Sequence, residues 1–124
     1  MKEESTMRSS PHQEHRDWLS QLDFYSEELR IFERELQKVI QEHPDLLSII
    51  EHVDEYREIL VRKKLHIQDF KARILGHEQQ MGNDPEPSGE EESVHRLLKS
   101  ELSDFQKSME DLKRSFRRFV AYND

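Results

Sequence analysis

Along three stretches of this chain apolar residues recur in alternating steps of three and four, and this pattern constrains the fold more tightly than any other feature. The first stretch runs Trp18, Leu22, Tyr25, Leu29, Phe32, Leu36, Val39. The second runs Leu46, Ile49, Val53, Tyr56, Leu60, Lys63, Ile67, Phe70, Ile74, His77, Met81, and the third His95, Leu98, Leu102, Phe105, Met109, Leu112, Phe116, Phe119. An α-helix turns once in about 3.6 residues, so such spacing puts one side chain per turn on a single face. Each stretch therefore reads as a long amphipathic helix with a narrow buried seam, and the chain as all-α.

Local signals place the boundaries. Ser10 suits an N-cap, with Pro11 at the first helical position and Gln13 three residues beyond the cap, so helix one should span 11–42. The His43-Pro44 step disfavours helical geometry at residue 43, while Pro44-Asp45 can open the next helix, expected over 44–81. Gly82-Asn83 offers a left-handed stop, and Asp84-Pro85-Glu86-Pro87 a stiff polar loop. Ser88 with Glu91 forms a capping-box pattern that opens helix three over 89–122. Glu90, Glu91 and Glu92 in its first turn and Lys113, Arg114, Arg117 and Arg118 toward its end suit the helix dipole. Met1 to Ser9 is polar and without pattern, and reads as a frayed tail. Short connections between long helices imply one domain over 10–124, an antiparallel up-down-up three-helix bundle.

Folding the seams back at the connections predicts layers: Trp18 with Phe70 and Leu102, Leu22 with Ile67 and Phe105, Leu29 with Leu60 and Leu112, Phe32 with Tyr56 and Phe116, Leu36 with Val53 and Phe119. Lys63 falls in the layer of Tyr25 and Met109. Its ammonium should snorkel toward water or toward a carboxylate of helix one such as Glu28.

Composition narrows the chemistry. At 124 residues the chain can bury one core without staples, and it has no cysteine, so disulfides, thiolate catalysis and Cys-ligated metals are all excluded. A net charge of −8 disfavours nonspecific binding to nucleic acid or to an anionic membrane. No run of the roughly 18 apolar residues that a membrane span needs is present, and the first nine residues have no apolar core of a signal peptide. A cytoplasmic location is the expectation. There is no glycine-rich phosphate loop, no nucleophile elbow and no supported serine-histidine-acid order, so no catalytic residue is expected and the chain reads as non-enzymatic. The basic end of helix three alternates with Phe116, Phe119 and Tyr122, but these aromatics are expected on the buried seam, not on a surface that stacks bases.

One constellation carries chemistry. The bundle register brings the start of helix one, the end of helix two and the start of helix three to one end, and with them His12, His15, His77 and His95. Glu92 lies one turn before His95, and His12 one turn before His15, so each pair can offer two ligands from one helix face. Imidazole and carboxylate together suit divalent transition metals, and helical bundles build metal sites from converging side chains. Gly76, beside His77, would admit a neighbouring backbone. The competing interpretation is that half-polar histidines merely close a splayed bundle end. Glu-x-x-His occurs once, unlike the ferritin-like di-iron pattern, which repeats it and uses four helices. His43, His52 and His66 are scattered and carry no pattern.

Off the seam lie Phe24 and Ile31, one heptad apart, then Leu47, Ile50, Ile59, Leu65, Leu75, Leu97 and Val120. Most should flank the core, because a three-helix bundle needs a stripe wider than a strict seam. Phe24 with Ile31 is the pair expected to face a partner, either another protein or a second copy in a homodimer.

The segment from His15 to Tyr25, with Trp18-Leu19, Leu22 and Phe24-Tyr25, together with Glu51-His52-Val53, resembles small uncharacterised bacterial helical proteins whose first helix begins Trp-Leu-x-x-Leu-x-Phe-Tyr. The resemblance covers helices one and two best, implies a bacterial cytoplasmic origin and brings no activity with it. The leading functional expectation is a non-enzymatic interaction or structural module without a cofactor. The alternative is a small metal-binding or metal-sensing bundle using His12, His15, His77, His95 and Glu92.

Overall fold

The computed structural model describes residues 10–44, 46–82 and 89–122, which form three helices: α1 (Pro11–Glu42), α2 (Leu47–Met81) and α3 (Gly89–Tyr122). At 1.5 Å per residue each is about 50 Å long. The expected tail over Met1 to Ser9, the loop with its two prolines, and the Ser88 cap lie outside the described residues.

Helix α1 begins as its sequence dictates, with Ser10 Oγ accepting a hydrogen bond from the Gln13 backbone N–H at 3.1 Å and Pro11 in the first turn. It ends where the His43 N–H turns back to the carbonyls of Val39 and Ile40. Helix α2 starts three residues later than the expected 44, because the Leu46 N–H reaches the His43 carbonyl and closes a turn first. Leu46 becomes its N-cap, with no side-chain cap, and is half exposed instead of sitting on the seam. Gly82 ends α2 with φ of 53°, a left-handed geometry that a side chain would strain.

Each seam is buried along most of its length. Leu22, Tyr25, Leu29, Phe32, Leu36 and Val39 from α1 meet Ile49, Val53, Leu60, Ile67, Phe70 and Ile74 from α2, and Leu98, Leu102, Phe105, Met109, Leu112 and Phe116 from α3. Helix direction follows from the contacts. His15 of α1 meets His77 near the end of α2, whereas Glu33, further along α1, pairs with Lys64, nearer the start of α2. Between α1 and α3, His15 meets His95 and Phe32 meets Phe116, so these two run alongside in the same direction.

The layer of Phe32, Tyr56 and Phe116 forms as expected, with ring centroids 4.7 Å and 5.4 Å from Phe116. Trp18 is only partly buried, packing against the core while its ring lies beside His15 and His95 at the histidine end. Lys63 departs from the expectation. Its ammonium donates to Ser108 Oγ of α3 at 2.7 Å and stands 5.3 Å from the centre of the Phe105 ring, while Glu28 pairs with Lys113. A hydroxyl one residue from the Met109 seam position was nearer than any carboxylate of α1. Burial, reinforced by the Arg62 charge, holds the Lys63 ammonium below its usual range.

Candidate metal centre

Where the seams of α1 and α2 approach the bundle end they carry histidine in place of leucine, and the consequence is a buried imidazole cluster. His15 is 0% exposed and His77 3% exposed, with His95 half-buried beside them. The three rings come from three helices. His15 Nε2 lies 3.1 Å from His77 Nδ1 and 3.3 Å from His95 Nδ1, and one nitrogen from each ring lies within 4.8 Å of the other two. Nitrogens bound tetrahedrally at about 2.0–2.1 Å from one zinc ion are themselves about 3.4 Å apart. The separations involving His15 are close to that edge.

The outward nitrogen of each ring faces oxygen. His77 Nε2 donates to the backbone carbonyl of Glu91 at 3.1 Å, which requires the proton on Nε2 and leaves the Nδ1 lone pair facing inward. Glu78 Oε1 stands 3.3 Å from His15 Nδ1, and Glu14 Oε2 stands 3.5 Å from His95 Nε2. These carboxylates favour N–H on the outward side, and so turn the His15 Nε2 and His95 Nδ1 lone pairs inward as well. An oxygen acceptor behind each imidazole is the arrangement that orients metal-bound histidines. Neither carboxylate contact has the alignment of a full hydrogen bond, and both buried nitrogens lack a hydrogen-bond partner.

With their N–H groups outward, three neutral rings set three lone pairs against one another. Suppose His15 Nε2 carries a proton and donates to His77. A neutral ring then has a bare lone pair at Nδ1, facing the Glu78 carboxylate. Protonating both nitrogens would relieve this, but burial lowers the His15 pKa more than Glu78 raises it, and His95 and His77 oppose a charge there as well. Protonating Glu78 is disfavoured too: desolvation pushes its carboxyl up, yet its interactions with His12 and His15 outweigh that and hold it below its usual range. A cation placed among the three inward lone pairs would be held by all of them.

Of the residues expected here from sequence, His15, His77 and His95 converge. His12 stands beside them, its Nδ1 paired with Glu78 Oε1, and His12, His15 and Glu78 form a second potential ligand group. Glu92 does not join. It is exposed and belongs to neither ligand group, because at the first turn of α3 it faces a surface hollow of about 230 Å³ that it lines with Pro11, Met81 and His95. That hollow gives solvent a route to the His95 side of the cluster. Gly76 admits no backbone: a side-chain carbon there would meet nothing within 4 Å. Sequence reasoning missed Glu78 and Glu14. Both directly adjoin cluster histidines in the chain, but a carboxylate next to a seam histidine is common on any charged helix.

The remaining histidines sit apart. His66 stacks on Phe70 and His52 leans on Phe119, each from the surface. Near the basic end of α3, Phe116 is buried and Phe119 half-buried, whereas Tyr122 is 90% exposed, contrary to the expectation that all three would be covered. Of the off-seam residues, Ile50, Ile59 and Val120 are half-buried; Phe24 and Ile31 stand 57% and 51% exposed, as do Leu47, Leu65, Leu75 and Leu97 to similar degrees. Among the described residues no helix is long and apolar enough to cross a membrane. No family model, curated protein or solved structure matches this chain.

Proposed function

We propose that this chain is a metal-binding helical bundle in which His15, His77 and His95 hold a divalent transition metal. The observation that carries the proposal is the inward convergence of three imidazole nitrogens from three helices, each ring backed by an oxygen acceptor. Three neutral nitrogens suit zinc, copper, nickel or cobalt better than magnesium or calcium, which prefer oxygen. Three protein ligands also leave a position for water or another small ligand, beside the hollow at His95.

Elemental analysis of protein purified without a metal-affinity tag tests the proposal, together with thermal melts in chelator and in added metal. Stoichiometric metal and a rise in melting temperature on reloading are expected. Trp18 supplies an optical readout, because its ring lies 4.8 Å from His95 and 5.4 Å from His15, so copper(II) should quench its fluorescence. Melts and fluorescence that ignore zinc, copper, nickel and cobalt alike would remove the idea.

A second role is favoured by Phe24 and Ile31. They are exposed one heptad apart on α1, and Ile31 lines an open trough between α1 and α3 with Phe32, Phe116 and Val120. Such a surface suits association with a protein partner or a second copy, a role compatible with a metal at the far end.

A further inference from the structure

His15 offers both of its ring nitrogens to ligand groups, and the two groups lie on opposite sides of the ring. Nε2 faces His77 Nδ1 and His95 Nδ1, while Nδ1 faces Glu78 Oε1, which also meets His12 Nδ1. A neutral imidazole can bind one metal and must keep a proton on the other nitrogen. Here that second nitrogen is buried, has no hydrogen-bond partner, and already stands at the edge of a His-Glu pair.

We propose that the histidine end is a two-metal centre bridged by His15. The first metal takes His15 Nε2, His77 Nδ1 and His95 Nδ1; the second takes His15 Nδ1, His12 Nδ1 and the Glu78 carboxylate. This extension rests on the single-metal reading above for its first half. When the second metal binds, the remaining ring proton of His15 leaves to water and a metal–nitrogen bond takes its place, so His15 becomes an imidazolate that shares its negative charge between the ions. With about 2.0–2.1 Å from each metal to nitrogen, a five-membered ring between them sets the ions about 6 Å apart.

The two positions differ in access. At the first, His15 and His77 are buried and the His95 side chain keeps 14% of its surface exposed, whereas the side chains of His12 and Glu78 keep 38% and 32% exposed at the second. The first ion should therefore be held and the second exchangeable. The charges also suit two cations: the Glu78 carboxylate and the imidazolate both act as ligands, and Glu14 stands behind His95.

Copper(II) titration of the tag-free full chain tests the bridge, followed by metal analysis and electron paramagnetic resonance. Two coppers per chain are expected, and the resonance that grows with the first should shrink as the second binds, because spins joined through an imidazolate couple antiferromagnetically. His12→Ala and Glu78→Gln should each hold one copper with its full signal. Both positions are partly exposed, and circular dichroism verifies that each variant keeps its helices; the near-isosteric Glu78→Gln serves if His12→Ala does not. Saturation at one copper overturns the bridge and leaves the single-metal site standing. Two coppers at undiminished signal, or variants that still take two, overturn it also. A chain that takes no copper removes both proposals.

Discussion

Replacing His15, His77 and His95 together by leucine should make the metal-free protein more stable. Leucine continues the seam that these histidines interrupt, and it removes two buried nitrogens, His15 Nδ1 and His95 Nε2, that have no hydrogen-bond partner. An unsatisfied buried polar group costs about 1–3 kcal/mol, so relief at both is worth roughly 2–6 kcal/mol. Against this stand the lost His77 bond to the Glu91 carbonyl, about 1 kcal/mol, and imperfect fit of the branched side chains, about another 1 kcal/mol. The net gain is about 0–4 kcal/mol, or roughly 4 °C of melting temperature for each kcal/mol in a chain of this size. The assay is a thermal melt in chelator. Metal should reverse the ranking, since ligand at a hundredfold over its dissociation constant stabilises the wild type by about 2.7 kcal/mol and the leucine variant not at all. A leucine variant that melts below wild type in chelator would refute the reasoning, and would mean that the histidines hold the bundle end together as a polar lid.

Other perturbations follow from particular contacts. Phe70→Ala should cost about 3–5 kcal/mol in a denaturant titration, because the ring is 4% exposed and packs edge-on against Phe105 at 5.5 Å; an unchanged midpoint would show that this layer is not closed. In chelator, stability should fall as pH drops below about 6.5, the pKa of His15 in the unfolded chain, since the folded state binds its proton less readily. Glu78 adds a further loss on acidification below its unfolded value near 4.5, because its folded pKa is depressed as well; melts across pH 4–8 check both, and a flat profile contradicts them. If the trough beside Ile31 holds a second copy, Phe24→Glu with Ile31→Glu should give a folded monomer by light scattering, and a wild type already monomeric at high concentration would dismiss that surface.

Seam residues show why so much of this fold was legible in the sequence. Leu22, Leu29 and Leu36 on α1 are buried because a period near 3.6 admits one inward face, and that geometry depends only on the chain itself. Helix ends were legible where a side chain does the capping, as at Ser10, and less so at Pro44, where the competing turn from His43 to Leu46 leaves no distinctive residue. His15, His77 and His95 could be brought together because bundle topology fixes which ends meet. Glu78 and Glu92 could not be told apart, since both lie near a histidine and only the rotation of each helix about its axis decides which carboxylate turns toward the cluster. The same limit explains Lys63, whose partner depended on whether α1 or α3 stood closer.

The ligands of the first site are far apart along the chain: His15 precedes His77 by 62 residues and His95 by 80. No fragment shorter than the whole bundle can assemble it, because each helix contributes one ring. Such a site gains its full strength only after all three helices have docked. Where that docking completes after the folding barrier, a bound metal leaves the speed of folding almost untouched and acts on the reverse step, lengthening the time a finished molecule survives before it opens.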